Sequence, residues 1–281
     1  SPNGTRTLFA HLQASNLHGA CPGGVGLTTA LVVLERGWVI VGSLPTSNGM
    51  SATAKAGCLI VLNSNGTPVE TFSGKPINGP WDMTAYDKGS QADLFVTNVL
   101  NGTVAANGKV VKTATVVRIE LNVPNQGNGV PKIQSTTIIG SGFSARTDPA
   151  ALVLGPTGVG LSSNGTLYVA DTVNSRIAAI SNALTRTTSA STGRTVTTGG
   201  ALNTPLGLTI APNGDILTVN GNNGFMVETT PGGTQVAKKL VDKTVAPGSP
   251  PGAGCLFGLA VRDSNGVYFV DDCTNTLNLL H

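Results

Sequence analysis

Short apolar runs, each broken by a polar or glycine-bearing turn, recur along this chain, and residues 155–180 (GPTGVGLSSNGTLYVADTVNSRIAAI) carry the clearest copy. The pattern there predicts a first strand at 159–161, a tight turn at Asn164-Gly165 and a second strand at 167–170. A polar loop at 171–175 and a third strand at 176–180 follow. Asn and Gly accept the positive φ that a two-residue hairpin turn demands. Aligned on this copy, first strands start near residues 24–27, 80–83, 156–159, 205–208 and 256–259. Second strands fall at 38–42, 93–97, 167–170, 216–219 and 267–270. The starts lie about 49 to 76 residues apart, a spacing suited to four-stranded propeller blades with loop insertions. The expected fold is all-β: one β-propeller domain over residues 1–281, built from five four-stranded blades.

The chain ends add to this picture. Residues 5–12 read as a strand, and the last repeat stops after its third strand at 276–280. The N-terminal strand is therefore expected to complete the last blade and close the ring, because a bare sheet edge invites mispairing. The chain opens at Ser1 rather than Met, which reads as a processed or trimmed product; residues upstream would raise the count to six blades. Residues 185–199, rich in Thr and Ser, read as a mobile loop, and residues 246–254, rich in Pro and Gly, as a connection between blades.

Composition narrows the function classes. Charged residues make up 11% of the chain, aromatic residues 4%, and the net charge is +3 without a basic run longer than Lys238-Lys239. Nucleic-acid binding thus lacks both its electrostatic footprint and its stacking groups. No apolar run reaches the roughly 18 to 20 residues that a membrane-spanning helix needs. The four cysteines are widely spaced, which excludes compact CxxC zinc or redox sites and favours disulfides. A secreted, extracellular or periplasmic location is expected on that ground.

The run LYVADTVNSRIAAI at residues 167–180 resembles the NHL-repeat family of β-propellers. The third repeat matches best, the fourth and fifth less closely, the first two weakly. The resemblance implies a propeller, usually of six blades, in a group that includes lyases, lactonase-like hydrolases and pure binding modules. Fold alone does not choose among them.

In a four-stranded blade, the connection entering strand one and the loop between strands two and three share a face of the disc. Cys21 and Cys58 hold those two positions in the first blade, and Cys255 and Cys273 hold them in the last. Of the three possible pairings, Cys21 with Cys58 and Cys255 with Cys273 is therefore expected. The same face collects Asp82, Asn98, Asp171, Asn220 and Asp271, which are candidate ligand-binding residues around the channel mouth. For Asp171 and Asp271 the competing reading is structural, since short polar side chains in turns commonly bond the turn's own backbone.

Lactonase-like relatives would hold calcium or a similar divalent ion at the inner starts of first strands. There this chain offers Asp82 as the one candidate metal ligand, with Gly158, Gly207 and Gly258 at neighbouring starts. Asn98, Asn220 and Asp271 would have to support it from the ends of second strands. Lyase-type chemistry would call on histidine, but His11, His18 and His281 lie outside the repeat core, and no GxSxG nucleophile motif occurs. No catalytic residue is assigned. The preferred reading is a secreted binding or scaffold module that recognises a polysaccharide, a peptide or a second copy of itself on its loop-rich face. A metal-dependent hydrolase or lyase is the alternative, and a structural subunit of an extracellular assembly a third.

Overall fold

The computed structural model describes residues 5–261 and 266–281. It is an all-β propeller of five antiparallel blades in chain order. Blade one comprises β1 (Leu27–Val33), β2 (Val39–Leu44), β3 (Cys58–Leu62) and β4 (Pro68–Phe72). Blade two adds a fifth strand: β5 (Pro80–Asp87), β6 (Gln91–Asn98), β7 (Val111–Asn122), β8 (Lys132–Asp148) and β9 (Leu152–Leu154). Blade three is β10 (Pro156–Leu161), β11 (Leu167–Asp171), β12 (Arg176–Ile180) and β13 (Arg194–Thr198). Blade four is β14 (Pro205–Ile210), β15 (Ile216–Asn220), β16 (Phe225–Thr229) and β17 (Gln235–Leu240). Blade five has three strands, β18 (Leu256–Val261), β19 (Val267–Asp271) and β20 (Thr276–Leu280). No helix among the described residues is long and apolar enough to cross a membrane.

The core lies between the blades. Leu59, Val61, Leu94 and Val117 pack blade one on blade two, and Phe95, Val116, Val169 and Ile180 pack two on three. Ala170, Ile177, Ile216 and Val227 join three to four, and Val219, Met226, Leu256 and Phe269 join four to five. Because strand side chains alternate, each blade needs an apolar set on both faces, which explains the nearly uninterrupted apolar runs at residues 58–62 and 177–180.

The register of the inner strands is repeated. Pro80, Pro156, Pro205 and Leu256 pair with the last residue of their second strands, Asn98, Asp171, Asn220 and Asp271. A bulge follows in each blade before Met83, Val159, Leu208 and Leu259. In blade one this place is held by Thr28, paired with Ser43, and the strand resumes at Leu31. The expected start at residues 24–27 is therefore four residues early. Gly24 and Gly26 imitate the repeat's glycines, whereas Gly26 packs flat on Pro45, where a Cβ would have no room.

Two further expectations are corrected. Residues 5–12 form no strand and do not complete blade five. Ala10 and Leu12, with Leu17, Cys21 and Val25, instead cover the face of blade one made by Val41, Cys58, Ile60 and Leu62. That face has no neighbouring blade, so burying those apolar side chains there stabilises the segment. Residues 185–199 are not loop throughout, because Thr195, Val196, Thr197 and Thr198 belong to β13. β-branched side chains suit an outer strand, and this outweighs the polarity that suggested a loop.

The inner strands pack in sequence, β1 on β5, β5 on β10, β10 on β14 and β14 on β18, while β18 and β1 make no comparable contact. A seam thus runs between blades five and one. Leu27, Leu31 and Val33 are more than half exposed on one wall, and Val270 and Leu277 are exposed on blade five. The outer edge of β20 pairs with no strand among the described residues.

Candidate functional site

The inner strands surround a channel, and a cavity of about 630 Å³ opens at one mouth. Its walls are Leu27 and Thr29 of blade one, Trp81 of blade two, Leu206 of blade four and Phe257 of blade five, with Ala150 to Leu152 closing the remaining side. Thr29, Trp81, Leu206 and Phe257 occupy the same place in the repeat register, directly after the residue that opens each inner strand. One position of the repeat therefore builds most of the mouth. Blade three carries Thr157 at this place, fully buried, its hydroxyl donating to the Leu206 carbonyl oxygen at 2.8 Å. A second cavity of about 330 Å³ lies along the channel, lined by Asp82, Met83, Val159, Leu208 and Leu259.

Asp82 borders both cavities. It stands at the register place that Gly158, Gly207 and Gly258 hold in later blades. At Gly158 the next inner strand passes so close that an added Cβ would lie 2.5 Å from the Leu206 carbonyl oxygen. In blade two a carboxylate fills the corresponding gap. Asp82 Oδ1 accepts the Met83 N–H at 2.8 Å and Oδ2 accepts the Val159 N–H at 3.1 Å, which ties blade two to blade three. Burial pushes its carboxyl from 3.8 up to about 6, against the lowering effect of these two bonds.

The sign of the consequence follows. A carboxyl whose folded value lies above its unfolded one favours the native state most below about pH 4, and this contribution is lost as pH rises through about 6. Enclosure by protein on every side would make the loss about 3 kcal/mol, but Asp82 is partly exposed to the channel, so about 1 to 2 kcal/mol is expected. Thermal melting of the wild type should show this decline between pH 4 and 7, and Asp82→Asn should remove it. A wild-type curve parallel to that of the variant would refute the assignment.

The other expected ligand residues do not reach the mouth. Asn98 accepts the Asn78 and Gly79 N–H groups at 3.1 and 3.3 Å. Asp171 is completely buried and is bound by Asn174 and by Arg176 Nε at 2.9 Å. Asn220 bonds Asn203 N, the Ala201 carbonyl oxygen and Asn223. Asp271 accepts the Thr274 N–H at 3.1 Å. Asp171 and Asp271 hold the loop that follows their own second strand, whereas Asn98 holds the connection entering β5, and Asn220 bonds both the connection entering β14 and the loop after β15. The disulfides are Cys21–Cys58 and Cys255–Cys273, with Cα separations of 5.3 and 4.9 Å.

The mouth does not fit a hard divalent ion. Its carboxylates are Asp82, with both oxygens engaged by backbone N–H groups, and Asp272 at the rim, and no Asn, Gln or Glu lines it. Calcium draws on carboxylate oxygens, and Asp82 leaves neither of its own without a partner. His11, His18 and His281 are exposed and do not line the mouth. Sequence reasoning missed Trp81, Phe257 and the 150–152 segment. The first two were legible as aromatic residues at one register place of the repeat, whereas the last reaches the mouth only through the long β8–β9 hairpin.

An NHL repeat model matches residues 154–180, which span β10, β11 and β12. The third blade of this five-bladed propeller thus carries an NHL repeat. Among solved structures, this propeller is similar to a streptogramin B lyase at 13% identity and a TM-score of 0.52, over 94% of this chain and 70% of that one. A luciferin-regenerating enzyme follows at 14% identity and 0.51, over 88% and 71%. A gluconolactonase from Xanthomonas campestris matches at 13% identity and 0.50, over 87% and 69%. At such identities the likeness is one of fold. No curated protein matches the sequence.

Proposed function

We propose that this NHL-repeat propeller is a binding module of an oxidising compartment, secreted or periplasmic, that recognises its ligand in the channel mouth without chemical conversion. The carrying observation is the mouth itself, a cavity of about 630 Å³ with Trp81 and Phe257 among mainly apolar walls and Asp82 beside them. Concave, largely apolar sites with a few placed polar groups are the usual form of ligand pockets. Both ionisable side chains on the wall, Asp82 and Asp272, are acidic, which favours a neutral or cationic ligand. A sugar ring or an aromatic side chain of a peptide, stacked on Trp81 or Phe257 and donating a hydrogen bond towards Asp82, meets these terms. The two disulfides support the compartment.

The hydrolase alternative has a relative of similar fold in the gluconolactonase. The donor set at the mouth weighs against it, since among the described residues Asp272 is the one other ionisable side chain on its wall. Thermal-shift screening against glycans, short peptides and small lactones tests both readings. A hit should raise the melting temperature of the wild type and fail to do so after Trp81→Ala or after Leu152→Trp, which fills the cavity. Turnover of a lactone, or hits indifferent to both substitutions, would overturn the proposal.

A further inference from the structure

We propose that a calcium-type cation binds between Asp242 and Asp271, beside the Cys255–Cys273 disulfide, and ties blade four to blade five. Asp242 lies just beyond β17 and Asp271 ends β19. One oxygen of each carboxylate and the two cysteine sulfurs lie within 4.8 Å of one another. Both acids are buried, with 4% and 5% of their surface exposed. Each uses Oδ1 to hold its own loop, Asp242 through the Thr244 N–H at 2.7 Å and Asp271 through the Thr274 N–H at 3.1 Å.

What remains is unbalanced. Asp242 Oδ2 is buried and has no hydrogen-bond partner among the described residues. No Lys, Arg or His among them forms an ion pair with either acid. The same register in blade three shows the ordinary solution, since Asp171 pairs across the strand with Arg176 and is neutralised by it. In blade five the residue at that place is Thr276, and the nearby group is a second carboxylate instead of a cation. Two buried carboxylates at this separation repel one another strongly unless a positive charge lies between them.

The chemistry of the donors selects the ion. Both sulfurs are bonded to each other and supply no thiolate, so zinc loses its preferred ligands. Carboxylate oxygens suit a hard ion, and calcium tolerates the irregular, partly hydrated shell that two acids and water would give. Cys273 is exposed, which leaves a path for the ion and for its water.

The test is calcium titration of the chelator-treated, disulfide-intact chain by calorimetry, with melting temperatures measured in parallel. One calcium per chain should bind, and a hundredfold excess over Kd should raise the melting temperature by roughly 5 to 10 °C. Asp242→Asn and Asp271→Asn should each abolish the rise, while Asp82→Asn in the channel keeps it. Either acid variant suffices should the other fail to fold. No heat and no shift in the wild type would overturn the site. So would a shift lost in Asp82→Asn but kept in Asp242→Asn, or metal uptake confined to zinc after reduction of the disulfide.

Discussion

Gly207→Ala is expected to lower the melting temperature by roughly 5 to 10 °C, whereas Gly258→Ala, at the same place in the next blade, should change it by no more than about 2 °C. Neither glycine has a backbone conformation closed to alanine, so the difference is one of space. A Cβ on Gly207 would run into the carbonyl oxygen of Phe257, which belongs to the adjoining inner strand and has nowhere to retreat. Overpacking against backbone costs about 3 kcal/mol. A Cβ on Gly258 would meet only Val270 Cγ2, 3.7 Å away on its own blade, because it points into the seam. The pair of melting curves therefore reads the seam directly. Equal losses at both glycines would show that another strand presses on Gly258 in solution and that the ring is filled there.

The Cys21→Ala/Cys58→Ala double variant should lose about 4 kcal/mol of stability, measured as a shift of the denaturant midpoint. The bond closes a loop of 37 residues, and in the chain-entropy treatment such a cross-link restrains the unfolded state by that order. Its position adds a local effect. Cys21 holds the segment that lays Ala10, Leu12 and Leu17 over the otherwise bare face of Val41, Cys58 and Ile60. Without the bond, residues 5–25 should become the first site of proteolysis, ahead of any blade. An unchanged midpoint and an unchanged cleavage pattern would mean that apolar packing alone secures the segment.

The repeat was legible where local chemistry and global fold agree. Blade three combines an Asn-Gly turn, unbroken apolar second and third strands and an arginine placed to neutralise Asp171, so its second and third strands could be bounded within one residue. Cys21 could be paired with Cys58, and Cys255 with Cys273, because blade topology fixes which loops share a face. Blade one was offset because Thr28 and Ala30 stand where other blades carry proline and glycine, while Gly24 and Gly26 present a false copy nearby. The fate of residues 5–12 was hidden for a different reason. An apolar segment such as LFAHL satisfies either a sheet edge or a sheet face, and only the tertiary gap beside blade one decides between them.

At the mouth the polar residues misled and the apolar ones mattered. Asn98, Asp171, Asn220 and Asp271 share a register and look like a converging ring in sequence, yet each bonds a loop or connection of its own blade and none lines the mouth. Trp81 and Phe257 hold the next register inward, where side chains do converge. Asp82 reached the channel as expected, but both of its oxygens are engaged by backbone N–H groups, and it joins two blades. The calcium site proposed above lies elsewhere, at the Asp242 and Asp271 pair that links loops distant in sequence.

Crystallographic fragment soaking of the intact chain measures the ligand-binding reading most directly. Aromatic and sugar-like fragments should gather in the channel mouth, stacked on Trp81 or Phe257, with a donor turned towards Asp82. Fragments collecting on the outer surfaces or in the seam, with the mouth left to solvent in every soak, would contradict it.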